Sequence, residues 1–388
     1  MPITNPIGTA REQAFFFSLE SARGSLIAPA SNAGLITAGY ADMSQNPSFT
    51  DSEEIPTNTR GLIDQFQDQT GAGTCTVPFY LRPSGTAGVA PLADGILTSL
   101  FGKKTVTSGT KVVYSPAITK PSGSAWFKRG HTLFFSRGGV VDQGKITASN
   151  KGAAKLEANL QFMQMGWAGR DGVASAAAAA ATQVTVYKAK KYAVGALIHN
   201  KTKSDHATVG YTVTAVDVVS NKLTISPGIV TAGGWEVDDI IEGWLPTAST
   251  SIGRPIESRK TVVTIGGTAR TLQSLDLTFA DKVVMIVDEM TPSGFPEDYG
   301  EDVRKVSGMI KLHFRANDAV AFYDGSNGTE QAISIQFGDT AGYKSRIDMP
   351  RCRLQVPKPS TNAPFVDISI DFTALEQDGE DSITLTFE

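Results

Sequence analysis

Along most of this chain apolar and polar residues alternate one by one, the pattern that sends successive side chains to opposite faces of a β-strand. Leu156, Ala158, Leu160 and Phe162 alternate with Glu157, Asn159 and Gln161, and Leu275, Leu277 and Phe279 with Asp276 and Thr278. The same holds for Ile310, Leu312 and Phe314, for Val366, Ile368, Ile370 and Phe372, and for Ile383, Leu385 and Phe387 at the end. Strands buried on one face in this way build antiparallel sandwiches and open barrels. One stretch follows the helical period instead. Pro91 suits a first helical turn, Gly102 the position past the end, and Leu92, Ile96, Leu97, Leu100 and Phe101 share a face. This predicts one short amphipathic helix lying on the sheet.

The texture changes at residues 172–182, where a run from Ala176 to Ala181 forms a low-complexity bridge. Short strands follow around Val184, Tyr192 to His199, Tyr211 to Val216 and Leu223 to Ile225, split by turns such as Pro227-Gly228 and Gly233-Gly234. Longer alternating strands resume after Thr250. The expected fold is therefore mainly β: an antiparallel β-sandwich or partial barrel with one short flanking α-helix, plus an inserted small β-barrel. The host spans residues 1–171 and 251–388 and the insert 172–250; the alternative is an extended hairpin of the main sheet.

Charge and composition narrow the function. The 388 residues hold 35 basic and 39 acidic side chains, a net charge of −4, which lacks the basic footprint of a tight DNA binder. Two cysteines, Cys75 and Cys352, can build neither a disulfide framework nor a four-cysteine zinc site. No run approaches the length of a membrane-spanning helix, and no membrane insertion is expected.

Catalytic motifs are sought and not found. Gly139 to Lys145 approaches a phosphate-binding loop, but Ile146 stands where a hydroxyl should hold magnesium, and no helix pattern follows. A hairpin turn is the expectation there. The four histidines lack the spacing of a metalloprotease helix, and no nucleophile elbow is present. The two cysteines read as core residues of strands. Asp51, Glu53 and Glu54, and the tract Glu376, Asp378, Glu380, Asp381 and Glu388, read as solvated acidic segments; residues 324–330 read as a turn. No cofactor, metal or enzymatic activity is expected.

The order of several segments resembles the tail tube, or major tail, proteins of long-tailed bacteriophages. An N-terminal arm precedes Phe15-Phe16-Phe17-Ser18-Leu19-Glu20-Ser21-Ala22-Arg23-Gly24; Phe79-Tyr80-Leu81-Arg82-Pro83-Ser84-Gly85 leads into the helix. Ile335-Gln336-Phe337-Gly338-Asp339-Thr340-Ala341-Gly342 and Ile347 to Leu354 then precede a last strand pair ending at Phe387. The resemblance covers most of the chain outside residues 172–250. The insert resembles small β-barrel modules of phage structural proteins, at Thr212 to Asp217, and is expected on the outer surface of a tube.

The resemblance implies a structural virion protein assembled in the host cytoplasm: six-membered rings stacked into a hollow tube that carries genomic DNA to the host. Implied partners are further copies of itself, a tape measure protein in the lumen, tail terminator and distal tail or baseplate proteins, and DNA as weakly held cargo. A mildly acidic chain suits a conduit, because each phosphate–cation pair resists sliding. Polymerisation is expected to be restrained by segments that order only on stacking, the arm from Pro2 to Arg11 and the loop from Met43 to Thr59. Ring-stacking or lumen candidates are Arg11, Asp51, Glu53, Glu54, Arg60, Arg254 and Arg259, the acids facing the lumen or a neighbour's arginines. The alternatives are a receptor-binding tail component that uses Trp235, Trp244 and Tyr192 on glycans, a terminator ring that does not stack, and a tail-associated glycan hydrolase.

Overall fold

A computed structural model describes residues 12–55, 58–206, 208–249, 253–362 and 364–388. Before the insert come β1 (Gln13–Leu19), β2 (Gly34–Leu35), β3 (Asp42–Ser44), β4 (Phe49–Asp51), β5 (Gln65–Gln67), β6 (Gly73–Tyr80), helix α1 (Asp94–Phe101), β7 (Gly102–Thr107), β8 (Lys111–Pro116), β9 (Gly123–Arg129), β10 (Thr132–Ser149), β11 (Lys155–Phe162) and β12 (Gln164–Ala168). The insert supplies β13 (Asp171–Ser175), β14 (Gln183–Val186), β15 (Leu197–Asn200), β16 (Tyr211–Asp217), β17 (Lys222–Ser226) and β18 (Ile240–Gly243). The host then resumes with β19 (Val262–Ile265), β20 (Thr268–Arg270), β21 (Ser274–Met285), β22 (Tyr299–His313), helix α2 (Val320–Asn327), β23 (Glu330–Phe337), β24 (Ser345–Leu354), β25 (Lys358–Asn362), β26 (Phe365–Leu375) and β27 (Thr384–Phe387). The molecule is mainly β, with large antiparallel sheets.

Two long strands organise the host. β10 joins the main sheet, in the order β3-β6-β11-β10-β21-β22-β26-β24, to a second sheet, β2-β1-β9-β10-β12. β24 in turn belongs both to the main sheet and to a third, β7-β8-β27-β24-β23-β19-β20. Alternation makes the main sheet one-sided: Leu156, Leu277, Ile310 and Phe372 face the core, and their polar neighbours face out. Helix α1 caps this core through Ile96, Leu97, Leu100 and Phe101. It sits close because β10 has no side chain at Gly144, where a Cβ would lie 2.5 Å from Leu100.

The glycine-rich run 139–145 is therefore not a hairpin turn. It lies inside β10, which passes through it with a bulge between Val141 and Gln143. Residues 324–330 likewise do not form a simple turn. A 3-10 turn, Ala316–Ala319, is capped by Asp318, which accepts the Arg315 N–H at 2.8 Å, and α2 continues to Gly328 in the left-handed region.

Strands β13 to β18 close a second, smaller barrel. Its core is not sealed off from the host. In the second sheet Phe15, Phe17 and Phe127 face the main core, while Phe16, Trp126, Leu133 and Phe135 enter the barrel core beside Tyr192, Ile198, Tyr211 and Trp244. That sheet is thus a middle layer, apolar on both faces. At its rim Lys128 of β9 donates to the Gly243 carbonyl at 3.0 Å and lies 3.5 Å from Glu242 of β18.

Candidate assembly surfaces

The outward face of the main sheet is polar, and strand register places its side chains in rows. One row runs Asp42, Thr76, Asn159, Gln143, Ala280, Lys305; the next Pro78, Glu157, Lys145, Thr278, Ser307, Thr373. A third runs Tyr80, Lys155, Thr147, Asp276, Met309, Asp371. Hydroxyls and amides dominate, and the few carboxylates and ammoniums nearly balance. Thr76 donates to Asn159 at 3.0 Å and Asn159 to Gln143 at 3.3 Å, so the amides are partly spent on one another. Such a face offers DNA few cations and little ionic hold.

The two ends of this sheet differ in charge. At the end where β6 begins, residues 45–72 carry Asp51, Glu53, Glu54, Asp64 and Asp68 with Arg60. The loop after β21 and the start of β22, residues 286–303, carry Asp288, Glu289, Glu297, Asp298, Glu301 and Asp302, and residues 376–382 carry Glu376, Asp378, Glu380 and Asp381. These segments converge: the Thr70 N–H donates to the Gly294 carbonyl at 2.9 Å. Neighbouring cations meet part of the charge, through Arg23 to Asp298 at 2.8 Å, Lys282 to Asp302 at 2.9 Å and Arg304 to Glu380 at 2.6 Å. Among the described residues Asp51, Glu53, Glu54, Asp64 and Asp68 have no ion pair.

Beneath the acidic end lies a buried ionic cluster. Lys120, fully buried, donates to the Val141 carbonyl and lies 3.6 Å from Asp281, which Arg304 approaches at 3.3 Å. Burial pushes the Lys120 ammonium down to about 8, against the pull of Asp281 and Glu301.

The end where β6 finishes carries only a slight excess of basic groups. Seven strand steps, about 24 Å at the rise of a β-strand, separate Gly73 from Tyr80. Around this far end stand Lys151, Lys155, Arg254, Arg259, Lys260, Arg270, Lys311, Arg315 and Lys358, against Glu257, Asp276, Asp318, Asp324, Asp339, Asp367 and Asp371; Lys260, Lys311 and Lys358 pair with Asp339, Asp367 and Asp371 at 2.5, 3.3 and 2.6 Å. Residues 254–258 are fixed there by Ile256, whose N–H donates to Leu81 and whose carbonyl accepts from Ala154.

The sequence-derived candidates fall on both ends. Asp51 closes β4, exposed, and accepts a hydrogen bond from Gln65 Nε2 at 2.8 Å across the β4–β5 hairpin. Glu53, Glu54 and Arg60 are exposed beyond it on the same hairpin, so Arg60 shares the acids' end of the sheet. Arg254 and Arg259 are exposed at the opposite end, Arg259 lying 3.8 Å from Glu257. Arg11 and the arm before it lie outside the described residues.

Sequence reasoning missed the apolar content of this hairpin. The expected loop 43–59 extends through β5, and Phe49, Ile55, Leu62, Ile63 and Phe66 are exposed on it. The spacing of Leu62, Ile63 and Phe66 carried the signal, masked by the polar residues before them. Both cysteines are buried, and burial pushes each thiol up to about 12. Trp235, Trp244 and Tyr192 are buried in the small barrel, which removes the aromatic platform on which the glycan-binding alternative rested. No helix among the described residues is long and apolar enough to cross a membrane. No protein-family model and no curated protein matches the chain.

Proposed function

We propose that this chain is the subunit of a hollow tube made of stacked rings, the tail tube of a long-tailed bacteriophage, through which genomic DNA passes. The observation that carries this reading is the concentration of unpaired acidic charge at one end of the main sheet, against a slight basic excess at the other, beside a hairpin whose apolar residues Phe49, Ile55, Leu62, Ile63 and Phe66 are half or more exposed. A surface of that kind joins head to tail, and head-to-tail joining does not close on itself along the stacking direction.

The outward face of the main sheet suits a lumen wall. It is hydrated, nearly neutral and poor in cations, so phosphates can move past it without an accumulating ionic hold. Further copies of itself are the principal partners, with a tape measure protein inside the growing tube, terminator and distal tail proteins at its ends, and DNA as transient cargo. The protein does structural rather than catalytic work, in the virion, after assembly in the host cytoplasm.

Negative-stain electron microscopy of the purified full chain across a concentration series tests the proposal. Evenly banded hollow tubes or stackable rings are expected. Compact particles that neither form rings nor stack at the highest concentration, alone or with added tail-tip complexes, would overturn it.

A further inference from the structure

The join between host and small barrel gathers cations that the proposed tube leaves without a role. We infer that this join binds a carboxylated polysaccharide, whose carboxylates meet the unpaired cations while a sugar ring stacks on Trp167. The inference stands whether or not the chain builds a tube.

The passage of the chain from β12 into β13 brings the cations together. Arg170 precedes Asp171, and Ile241, the strand partner of Asp171, precedes Glu242. Lys201 holds Glu242 at 3.1 Å and Lys128 lies 3.5 Å from it. Asp171 accepts from the Lys191 ammonium at 3.0 Å and from the Lys188 backbone N–H at 2.6 Å, and Lys191 also donates to the Arg170 carbonyl at 2.9 Å. Asp171 and Glu242 are buried, so each carboxylate is spent on a lysine beneath the surface. Exposed Asp238 borders the group and accepts from the Tyr187 hydroxyl at 2.7 Å. The join therefore sets Lys128, Arg170, Lys188, Lys190, Lys191 and Lys201 against three carboxylates, in a chain whose net charge is −4. Lys188 and Lys190 are exposed, and with Arg170 they have no ion pair among the described residues. The Arg170 Nε is buried without a hydrogen-bond partner.

An aromatic platform stands beside these cations. Trp126, Trp235 and Trp244 are buried, whereas Trp167 is 43% exposed. Its Nε1 donates to the Lys190 carbonyl at 3.3 Å, and its own carbonyl accepts from Ala193 at 2.8 Å, which fixes the indole next to the lysine. A fixed, half-open indole with its polar edge satisfied offers an apolar face to a sugar ring. Charge density selects among polyanions. Duplex DNA carries one charge per ~1.7 Å and is met by long basic stripes. Three unpaired cations on an acidic chain suit a polymer whose charges are spaced by whole sugar rings, and the guanidinium fork of Arg170 matches a carboxylate.

Titration of the full chain with polygalacturonate tests this, with dextran, polyglutamate and single-stranded DNA as comparison polymers. Binding should shield tryptophan fluorescence from acrylamide, because Trp167 is the exposed indole, and should weaken with added salt. Polygalacturonate should bind about tenfold or more tightly than each comparison polymer. Lys188→Glu with Lys190→Glu should weaken its binding about tenfold or more, while Lys188→Arg with Lys190→Arg should bind as the parent does. Trp167→Ala should weaken polygalacturonate binding by a similar factor and leave polyglutamate binding unchanged. Circular dichroism and the urea midpoint of both lysine variants should match the parent, since both side chains are exposed. Binding no tighter than that of dextran, or full tolerance of the charge reversal, would overturn the site. Equal binding of polyglutamate, or tighter binding of DNA, would overturn a polysaccharide as its occupant.

Discussion

Excising the small barrel should unfold the host. Gly172 and Ile240 are paired across β13 and β18, within about 5.5 Å as antiparallel partners are, so residues 173–239 can be replaced by an Asn-Gly turn without stretching the chain. The excision strips the outer cover from Phe16, Trp126, Leu133 and Phe135, each 5% exposed or less in the intact protein. Exposing a large apolar side chain costs about 1.5–3 kcal/mol. Four of them cost about 6–12 kcal/mol, comparable to the entire stability of a typical domain, about 5–15 kcal/mol. The excised chain is predicted to be insoluble, or to bind a hydrophobic dye and lose its cooperative urea transition. Changing those four residues to threonine in the excised chain should restore solubility, because β-branched polar residues suit an exposed strand face. An excised chain with the parent's urea midpoint and no dye binding would refute the shared core and make the insert a free-standing decoration.

Other predictions concern charge. Reversing Glu53 and Glu54 to lysine should leave the monomer's circular dichroism and urea midpoint unchanged and hinder stacking seen by electron microscopy; normal tubes would contradict the role of the acidic hairpin. Glu242 is held down to about 2: burial pushes its carboxyl up, but the His199 hydrogen bond and the Lys128 and Lys201 charges outweigh it. A depressed carboxyl contributes stability above its ordinary value of 4.5, and that stability is lost as pH falls from there towards 2. Acid unfolding over this window should shift to higher stability relative to neutral pH in Glu242→Gln, whose carboxamide does not titrate, and an unchanged pH profile would discount the junction. Lys120→Met leaves Asp281 buried with Arg304 as its remaining cation and should cost about 3 kcal/mol in urea unfolding. Lysines introduced together at Thr76, Asn159 and Thr278 should make assembled particles retain DNA with a steep salt dependence. Equal retention by the parent would place this face outside the lumen.

Much of the strand content is legible because one face of each long strand is wet. Leu275, Leu277 and Phe279 announce β21 by alternation alone, and Val366 to Phe372 announce β26 in the same way. Elements that escape are those where one composition serves two structures. Gly138, Gly139 and Gly144 mark a turn in most contexts; here they let β10 pass tightly beside Met163, Gly123 and Leu100. Asp324 to Gly328 is turn chemistry too, but the capping by Asp318 upstream winds it into α2. The middle layer was also written in the chain. Phe15-Phe16-Phe17, Ala125-Trp126-Phe127 and Leu133-Phe134-Phe135 are unbroken apolar runs, which signify strands covered on both faces rather than one.

The placement of charge explains what register alone leaves open. A one-residue slip would exchange the faces of any strand in the main sheet, yet the buried row Leu156, Ile146, Leu277, Gly308 and Phe372 fixes all the outer rows at once. With the rows fixed, Lys145 falls between Glu157 and Thr278, and no column of like charge runs along the face. The largest excess of one sign instead gathers at one end, on residues 45–72 and 286–303. An arrangement that keeps the broad face nearly neutral and gathers acidic charge at one end disfavours lateral capture of polyanions. The proposed tube asks for stacking of like subunits and for passage of DNA, and the acidic end and the broad face of the same sheet are the parts on which those two demands would fall.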